Sequence, residues 1–402
     1  MKNKSIKYLR SIVQASIFLI LILIIVLYNL YINKIISFKI IGIGDLNPYG
    51  GWSALRESIT NSSYVFQGIS KSIALFIALL AMAIIGGRFF CGWICPLGAF
   101  QDFAAYLGSK FKIVKYKYSH NKGFNPLLFK YIVLLILLMV SVLGYGALGA
   151  ELSPWRALLN LPKFPSAWAE MNIGFIILAG VFLISMFISR FFCRYLCPLG
   201  AIQTLFSSLS ILSLKHSSNC NKCNICLNEC PVGLKFTKES DIISPECIRC
   251  LNCVGQCKAS NENRVYLSLF NKKVSKISYI LLMVILFVFL WIGLPKLWGE
   301  SSYSSSIYLG NLKDGTYQGE AKGFAGKIIT EVKIENRKIV EIKVIEHNES
   351  KGWYEEVYIA LPKEIIKKQN PKVDGISGAT KTSNGFIKSI ENALNKAVDK
   401  AK

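Results

Sequence analysis

Acidic residues are scarce: 24 aspartates and glutamates stand against 47 lysines and arginines in 402 residues, a formal charge of +23. No interleaved basic-aromatic recognition module accompanies that charge, so nucleic acid is not an expected partner. No Gly-x-Gly-x-x-Gly run follows a plausible strand, which leaves direct use of NAD(H) without support. The first apolar run follows Lys2, Lys4, Lys7 and Arg10, is too long for a signal peptide, and has no small-residue cleavage site after Tyr31-Ile32-Asn33. It is expected to be retained as a helix, and the basic excess is expected to hold loops at an anionic inner leaflet.

Apolar residues, by contrast, make up 52% of the chain and are bunched. Five stretches, about 11–33, 70–88, 130–149, 172–190 and 275–298, are long enough to cross roughly 30 Å of hydrocarbon. Lys110, Lys112, Lys115, Lys117 and Lys122 make the loop after the second run strongly positive, whereas segments 34–69 and 150–171 are not. Positive loops stay cytoplasmic, so the amino terminus and residues 191–274 are expected inside the cell and residues after about 298 outside it.

The string RFFCGWICPLGAFQD at 88–102 recurs as RFFCRYLCPLGAIQT at 190–204, offset by 102 residues, with nine of the first twelve positions identical. A weaker echo pairs Asp45-Leu46-Asn47-Pro48 and Trp52-Ser53-Ala54-Leu55 with Glu151-Leu152-Ser153-Pro154 and Trp155-Arg156-Ala157-Leu158. Each unit reads as an outward helix, an outer loop and an inward helix ending on Cys-x-x-x-Cys-Pro. Two such parallel units pack about a pseudo-two-fold axis along the membrane normal, which lets Cys91 and Cys95 face Cys193 and Cys197. Residues four apart share a helix face, and Pro96 and Pro198 are expected to end or kink each helix there. Four thiols then converge near the cytoplasmic surface and suit an iron–sulfur cluster or another soft metal. The plainer alternative is two pairs of buried thiols that only pack. A disulfide is disfavoured at a reducing face.

Between the fourth and fifth runs lie Cys220-x2-Cys223-x2-Cys226-x3-Cys230-Pro231 and Cys247-x2-Cys250-x2-Cys253-x3-Cys257. Two-residue spacers let a short loop wrap three corners of a cubane while the fourth thiolate comes from the other motif. The expected sets are Cys220, Cys223, Cys226 with Cys257, and Cys247, Cys250, Cys253 with Cys230. Zinc also binds paired Cys-x-x-Cys, but two identical 2-2-3 runs are poorly explained by it. Lys258 stands where a proline often follows the last ligand. On these motifs, residues 1 to about 270 resemble the membrane polyferredoxin subunits associated with periplasmic nitrate reductase and with nitrous-oxide reduction. The resemblance implies two four-iron clusters in a cytoplasmic ferredoxin-like module and electron transfer, often to or from quinone.

After the fifth run, Ser301-Ser302-Tyr303-Ser304-Ser305-Ser306 reads as a linker. Asp314-Gly315-Thr316-Tyr317 with Gly319, Gly323 and Gly326 then opens a turn-rich α+β domain. Val332 and Ile334, a polar break at 335–338, then Val340, Ile342 and Val344 predict a hairpin with one buried face. A helix over about 384–400 places Ile387, Ile390, Leu394 and Ala397 on one side, with Ser383 as its N-cap. Before it, Asp374-Gly375-Ile376-Ser377-Gly378-Ala379-Thr380 allows something bulky to approach the backbone beside a helix N-terminus suited to phosphate. These features resemble the FMN-binding domain of the flavin subunits of Rnf complexes and of sodium-translocating NADH:quinone reductase. The resemblance implies FMN held by a phosphoester to Thr380, formed by a flavin transferase, with Asp374, Ser377, Gly378 and Ala379 at the site. Thr382 is the alternative acceptor, and His347 and Glu349 stand either near the flavin or on the surface. In the nitrous-oxide family the flavin domain precedes the membrane part; here it follows.

The expected fold is a polytopic α-helical membrane protein of about five transmembrane helices in a parallel two-fold repeat. It carries a cytoplasmic bacterial ferredoxin-like module for two [4Fe-4S] clusters and an extracytoplasmic α+β FMN-binding domain. The boundaries are 1–214 for the membrane repeats, 215–274 for the ferredoxin-like module, 275–298 for the fifth helix, 299–312 for a linker and 313–402 for the flavin domain. Such a chain, in a prokaryotic cytoplasmic membrane, is expected to pass electrons from a ferredoxin- or flavodoxin-type donor to an extracytoplasmic partner through FMN. The alternatives are a redox-sensing or maturation protein and a quinol dehydrogenase subunit.

Overall fold

The computed structural model describes residues 4–32, 46–49, 71–112, 126–142, 152–216, 229–234, 244–254, 265–269, 272–297, 312–349, 354–371, 373 and 379–397. The first part is helical: α1 (Lys4–Ile32), α2 (Lys71–Gly86), α3 (Phe89–Trp93), α4 (Pro96–Lys110), α5 (Phe129–Val142), α6 (Pro154–Leu159), α7 (Phe164–Phe187), α8 (Phe191–Tyr195) and α9 (Pro198–Ser207). A small antiparallel sheet follows in the order β1 (Leu212–His216), β2 (Val265–Leu269), β3 (Lys272–Val274). Next come α10 (Lys276–Val288), a π-helical turn over Phe289–Gly293, and α11 (Leu294–Leu297).

Two helical stretches, Ile6–Leu27 and Lys276–Gly293, are long and apolar enough to cross a membrane; Ile73–Gly86, Phe129–Val142 and Met171–Phe187 are apolar but shorter. Each of the five expected runs contains a helix, though those at 70–88 and 172–190 end it at Gly86 and Phe187, and α2, with 16 residues, rises only ~24 Å. Residues 143–149, the end of the third run, lie outside the described residues. Leu19 and Ile285 are 65% and 66% exposed on outward apolar faces, an arrangement suited to lipid rather than water. The inner faces share one core that runs from Leu79 and Phe90 through Trp155 and Phe175 to Ile248 and Met283. Tyr279 donates its hydroxyl to the carbonyl of Gly86 at 2.7 Å, fastening α10 to the end of α2.

The repeated strings fold alike, in a manner that corrects the expected single helix. A left-handed residue breaks the chain before each short helix, Gly87 at φ 75° before α3 and Arg190 at φ 56° before α8. Cys91 and Cys193 lie inside these five-residue helices, whereas Cys95 and Cys197 are the N-caps of α4 and α9. Pro96 and Pro198 do not end a helix; each occupies the first turn of the next one, where its missing N–H costs nothing. Each N-cap sulfur accepts a backbone N–H, from Gly98 at 3.4 Å and from Gly200 at 3.3 Å.

The outer unit has a separate core. Strands β4 (Gly315–Lys322), β5 (Lys327–Glu335) and β6 (Lys338–His347) form an antiparallel sheet in that order, followed by α12 (Tyr354–Lys368) and α13 (Thr380–Ala397). The hairpin is as expected, and Ile342 and Val344 pack against the core, but Val340 is 47% exposed and Ile339 is buried instead. A register shift between Lys333 and Ile334 pairs Ile334 with Ile339 and moves the apolar face by one residue. Helix α13 starts at Thr380 rather than 384, so Ser383 is no N-cap but a buried residue whose N–H donates to the carbonyl of Ala379.

Helix α13 lies so close to β4 that a Cβ on Gly319 would stand 1.9 Å from the carbonyl oxygen of Ser389. Replacing Gly319 by valine is therefore expected to destabilise the outer unit by about 3 kcal/mol, the upper range for overpacking. A lowered denaturant midpoint at unchanged slope for the transition of this carboxy-terminal unit, called outer only after its expected side of the membrane, is the expected measurement.

Candidate functional site

The two repeats meet through reciprocal contacts at their cysteines. Gln101 donates its amide N–H to Cys193 Sγ at 3.1 Å, and the Cys91 thiol donates to Gln203 Oε1 at 2.9 Å; Gln101 and Gln203 occupy the same repeat position. Cys91, Cys95 and Cys193 are buried, and all four thiols are electrostatic neighbours of one another. Among the described residues no three cysteine, histidine or carboxylate groups stand at the spacing of a single metal ion. A cubane holds its sulfurs farther apart than one ion does.

Two buried ionic knots flank the thiols. In one, Asp102 accepts from Arg190 at 2.7 and 2.8 Å, from Gln14 at 3.0 Å, and from Arg10. In the other, Glu246 accepts from Arg88 at 2.9 Å, from Tyr131 at 3.3 Å, and from Lys130. Arg88 and Arg190 open the two repeated strings, and Arg10 and Lys130 sit early in α1 and α5. Asp102 aligns with Thr204, which has no carboxylate; Glu246, next to Cys247, fills that place and lies 3.4 Å from the Thr204 hydroxyl. The two knots hold four cations and two carboxylates.

The loop around Cys247 enters the membrane unit. A Cβ on Gly92 would lie 2.3 Å from the carbonyl oxygen of Ile248 and 3.5 Å from the backbone nitrogen of Cys250. Trp93 donates its indole N–H to the carbonyl of Arg249 at 3.0 Å, and Arg249 reaches the hydroxyl of Ser210 at 3.1 Å. Arg249 and Leu251 are left-handed, at φ 52° and 60°, the strained backbone of a loop that turns its N–H groups inward. Cys230 and Cys247 accept backbone N–H bonds, Cys230 from Leu234 and Val232 and Cys247 from Arg249. Cys230 is a neighbour of Cys247 and Cys250, and its thiol is pushed up to about 12 by burial and by those two sulfurs. The structure thus brings together at least three of the expected set Cys230, Cys247, Cys250 and Cys253, and Cys253 is buried in the same loop. Cys220, Cys223, Cys226 and Cys257 lie outside the described residues.

In the outer unit, Glu349 ties the β4–β5 turn to the start of α13: it accepts from the backbone of Ala325 at 3.1 Å and from the hydroxyl of Thr382. Thr382 is buried and engaged, which disfavours it as an acceptor of flavin phosphate. Thr380 is the first residue of α13, where unpaired backbone N–H groups and the helix dipole favour an anion. His347, Tyr354, Tyr358 and Phe386 form a chain of ring contacts that joins β6, α12 and α13, with centroids 4.2 to 5.4 Å apart. The Tyr358 hydroxyl is buried without a hydrogen-bond partner among the described residues. Ala379 is buried, and Asp374, Ser377 and Gly378 lie outside the described residues.

Residues 323–395 match the FMN-binding domain, and residues 72–114 and 173–215 each match a 4Fe-4S binding domain. The uncharacterized protein MJ0750 of Methanocaldococcus jannaschii is 33% identical over 198 residues, 48% of this chain and 79% of that protein. The chain belongs to the membrane polyferredoxin family. Ferredoxin-type protein NapH of Haemophilus influenzae is 28% identical over 213 residues, 50% of this chain and 70% of that protein. Regulatory protein NosR of Stutzerimonas stutzeri is 34% identical over 195 residues, 47% of this chain but only 26% of that protein. The 4Fe-4S matches fall on the strings carrying Cys91, Cys95, Cys193 and Cys197, not on the loops at 220–257.

The surroundings of the cysteines fit an iron–sulfur cluster. Arg249 Nε and Nη1, Arg88 Nε and Gln203 Nε2 are buried donors with no hydrogen-bond partner among the described residues. Such donors suit an anionic, sulfur-rich group. Sequence reasoning found the cysteines but missed the knots and the glutamines. The signal was present: Arg88 with Arg190 and Gln101 with Gln203 are identical positions of the repeated strings.

Glu356, in the first turn of α12, is pushed up to about 7 by burial. Folding therefore prefers the protonated acid: stability of the outer unit is highest below the ordinary carboxylate range and falls as pH rises toward and through 7. The loss between pH 4 and pH 8 is expected to be about 3 kcal/mol. Thermal unfolding across that range is expected to show it, and Glu356→Gln to abolish most of it.

Proposed function

We propose that this polyferredoxin moves electrons across a prokaryotic cytoplasmic membrane, from a cytoplasmic ferredoxin- or flavodoxin-type donor to an extracytoplasmic acceptor through FMN. The observation that carries the reading is the insertion of the Cys247–Cys253 loop into the membrane cysteine repeat, with Gly92 leaving no room between the two backbones. Five membrane crossings with a cytoplasmic amino terminus and ferredoxin module, and an outer flavin domain, are the topology this requires. The proposed boundaries are those of the sequence: repeats to 214, ferredoxin-like module 215–274, fifth helix 275–298, linker 299–312, flavin domain 313–402.

Cys220, Cys223, Cys226 and Cys257 would hold one [4Fe-4S] cluster and Cys230, Cys247, Cys250 and Cys253 the other. Cys91, Cys95, Cys193 and Cys197 would hold a third. The charge inventory supports this third site: the two knots leave an excess of two cations while the thiols are neutral. A cubane on four thiolates carries roughly two net negative charges, which balances that excess. With Cys91 ionised, a turn of the Gln203 amide presents its N–H to the sulfur, as Gln101 already does to Cys193. Thr380 would carry FMN by phosphoester through a flavin transferase, its phosphate at the N-terminus of α13 and Asp374, Ser377, Gly378 and Ala379 lining the approach. The clusters and flavin supply the redox chemistry when bound. The protein sets their spacing, keeps water from the buried thiols and supplies N–H donors to the sulfurs.

One observation favours a second reading: the relative NosR is named a regulatory protein. A sensing or maturation role predicts cofactors without sustained turnover, and a quinol dehydrogenase predicts inhibition by quinone analogues. Vesicles containing the protein are expected to pass electrons from reduced ferredoxin to an impermeant external acceptor at a steady rate; a single turnover or none overturns the proposal. Intact mass and iron analysis of the purified chain is expected to show FMN lost in Thr380→Ala. Iron should stand clearly above about eight atoms, falling to about eight in the Cys91→Ala/Cys193→Ala variant.

A further inference from the structure

The described ferredoxin-like segments meet both repeats of the membrane unit, and the asymmetry of the repeats says where. In the first repeat the residue after Cys91 is Gly92, and Ile248 and Cys250 lie against it; in the second repeat the same position is Arg194, which packs its guanidinium against Gly233, 3.3 Å from where that glycine's Cβ would be. Both contacts are to segments that bear Cys230, Cys247 and Cys250. The repeats differ again at Asp102 and Thr204, and the carboxylate missing from the second is supplied by Glu246, one residue before Cys247.

We infer that the cluster held by Cys230, Cys247, Cys250 and Cys253 is the point at which electrons pass between the ferredoxin module and the membrane thiols, and that Glu246 is the positioning residue that fixes that junction. This rests on the proposed electron-transfer function. Glu246 brings the loop a single anionic anchor into a pocket of Arg88, Lys130, Tyr131 and Thr204, where Lys130 is fully buried and Arg88 nearly so. A carboxylate in that pocket is needed whatever carries it, since two buried cations without an acid are costly. That it comes from the loop, rather than from the helix as at Asp102, makes neutralising the pocket the same event as seating the loop.

This separates two roles that a single substitution would confuse. Glu246→Gln alone strips the pocket of its charge and can disturb folding. The double variant Glu246→Gln with Thr204→Asp returns the acid to the helix, as in the first repeat, and removes the loop's carboxylate anchor while leaving its backbone contacts through Trp93 and Arg88. In the full-length holoprotein the double variant is expected to keep wild-type iron content and wild-type slow equilibration with dithionite. Stopped-flow reduction of its flavin by reduced ferredoxin is expected to be slower by about tenfold or more, since loss of one partner of a buried ion pair releases the contact. Glu246→Asp is expected to recover much of the rate. The low-temperature EPR spectrum of the double variant is expected to lose the broadening that neighbouring clusters impose on each other. A double variant that reduces its flavin as fast as wild type, with unchanged broadening, overturns the assignment. Absence of ferredoxin-driven flavin reduction in the wild type overturns instead the electron-transfer reading, and this inference with it.

Discussion

Buried cations demand buried anions, and that requirement organises the membrane half of this protein. Arg190 and Lys130 are fully buried and Arg88 nearly so, and leaving any of them without a carboxylate in direct contact would be costly. Asp102 and Glu246 are those carboxylates. Each gathers groups from different parts of the chain: Asp102 joins α1, α4 and the turn before α8, and Glu246 joins the turn before α3, α5, α9 and the Cys247 loop. The repeats, the outward helices and the iron–sulfur loop are thereby placed relative to four thiols. Such pairs contribute little net stability compared with an apolar core, but breaking one costs several kcal/mol, so they act mainly to specify a single arrangement.

The hydrophobic effect alone would not fix that arrangement. Apolar helices such as α2 and α10 can slide or rotate against one another at small cost, and in lipid they lack a strong drive to associate. Close backbone approach supplies part of the missing specificity, as where a Cβ on Gly86 would lie 2.4 Å from the sulfur of Met283, or one on Gly108 2.2 Å from the carbonyl of Met186. The outer unit uses the same device in a different setting: Gly319 admits α13 onto the sheet, and Gly323 and Gly385 let the start of that helix cross the end of β4 within 2.6 Å of a notional Cβ. In both halves, glycines set where helices lie and polar contacts set their register.

Much of this was legible in the sequence because it was written as repetition or periodicity. The matched strings at 88–102 and 190–204 revealed two equivalent units, and the alternation at 332–344 revealed a hairpin. What was not legible depended on contacts distant in sequence. Glu246 looks like an ordinary loop acid until Arg88 and Lys130, 158 and 116 residues away, are seen to bind it. Helix α12 was hidden by Pro362, which discourages a helical reading, although Val357, Leu361 and Ile365 repeat every fourth residue and are fully buried. The bulge at Lys333 and Ile334 defeated the burial pattern at the start of β6, where Ile339 rather than Val340 is buried, since a one-residue slip reverses the face and leaves no mark on composition. The cysteine motifs gave the thiols but not their backbone: a proline after a cysteine looks like a helix stop, and here it begins a helix that the cysteine caps.

The departures from two-fold symmetry carry more functional information than the symmetry itself. Where the repeats agree, at the arginines, the glutamines and the Cys-x-x-x-Cys-Pro turns, they build one central group of sulfurs with donors aimed at it from both sides. Two of their differences bear on the Cys247 loop: a glycine in place of an arginine clears space for Ile248, and a threonine in place of an aspartate leaves a pair of cations to be met by Glu246. A fully symmetric pair would neutralise itself and have no reason to bind a third element. Omitting one acid creates a buried charge deficit that, among the described residues, Glu246 beside Cys247 fills, so the electrostatics of the membrane core and the seating of that cysteine-bearing loop become one constraint.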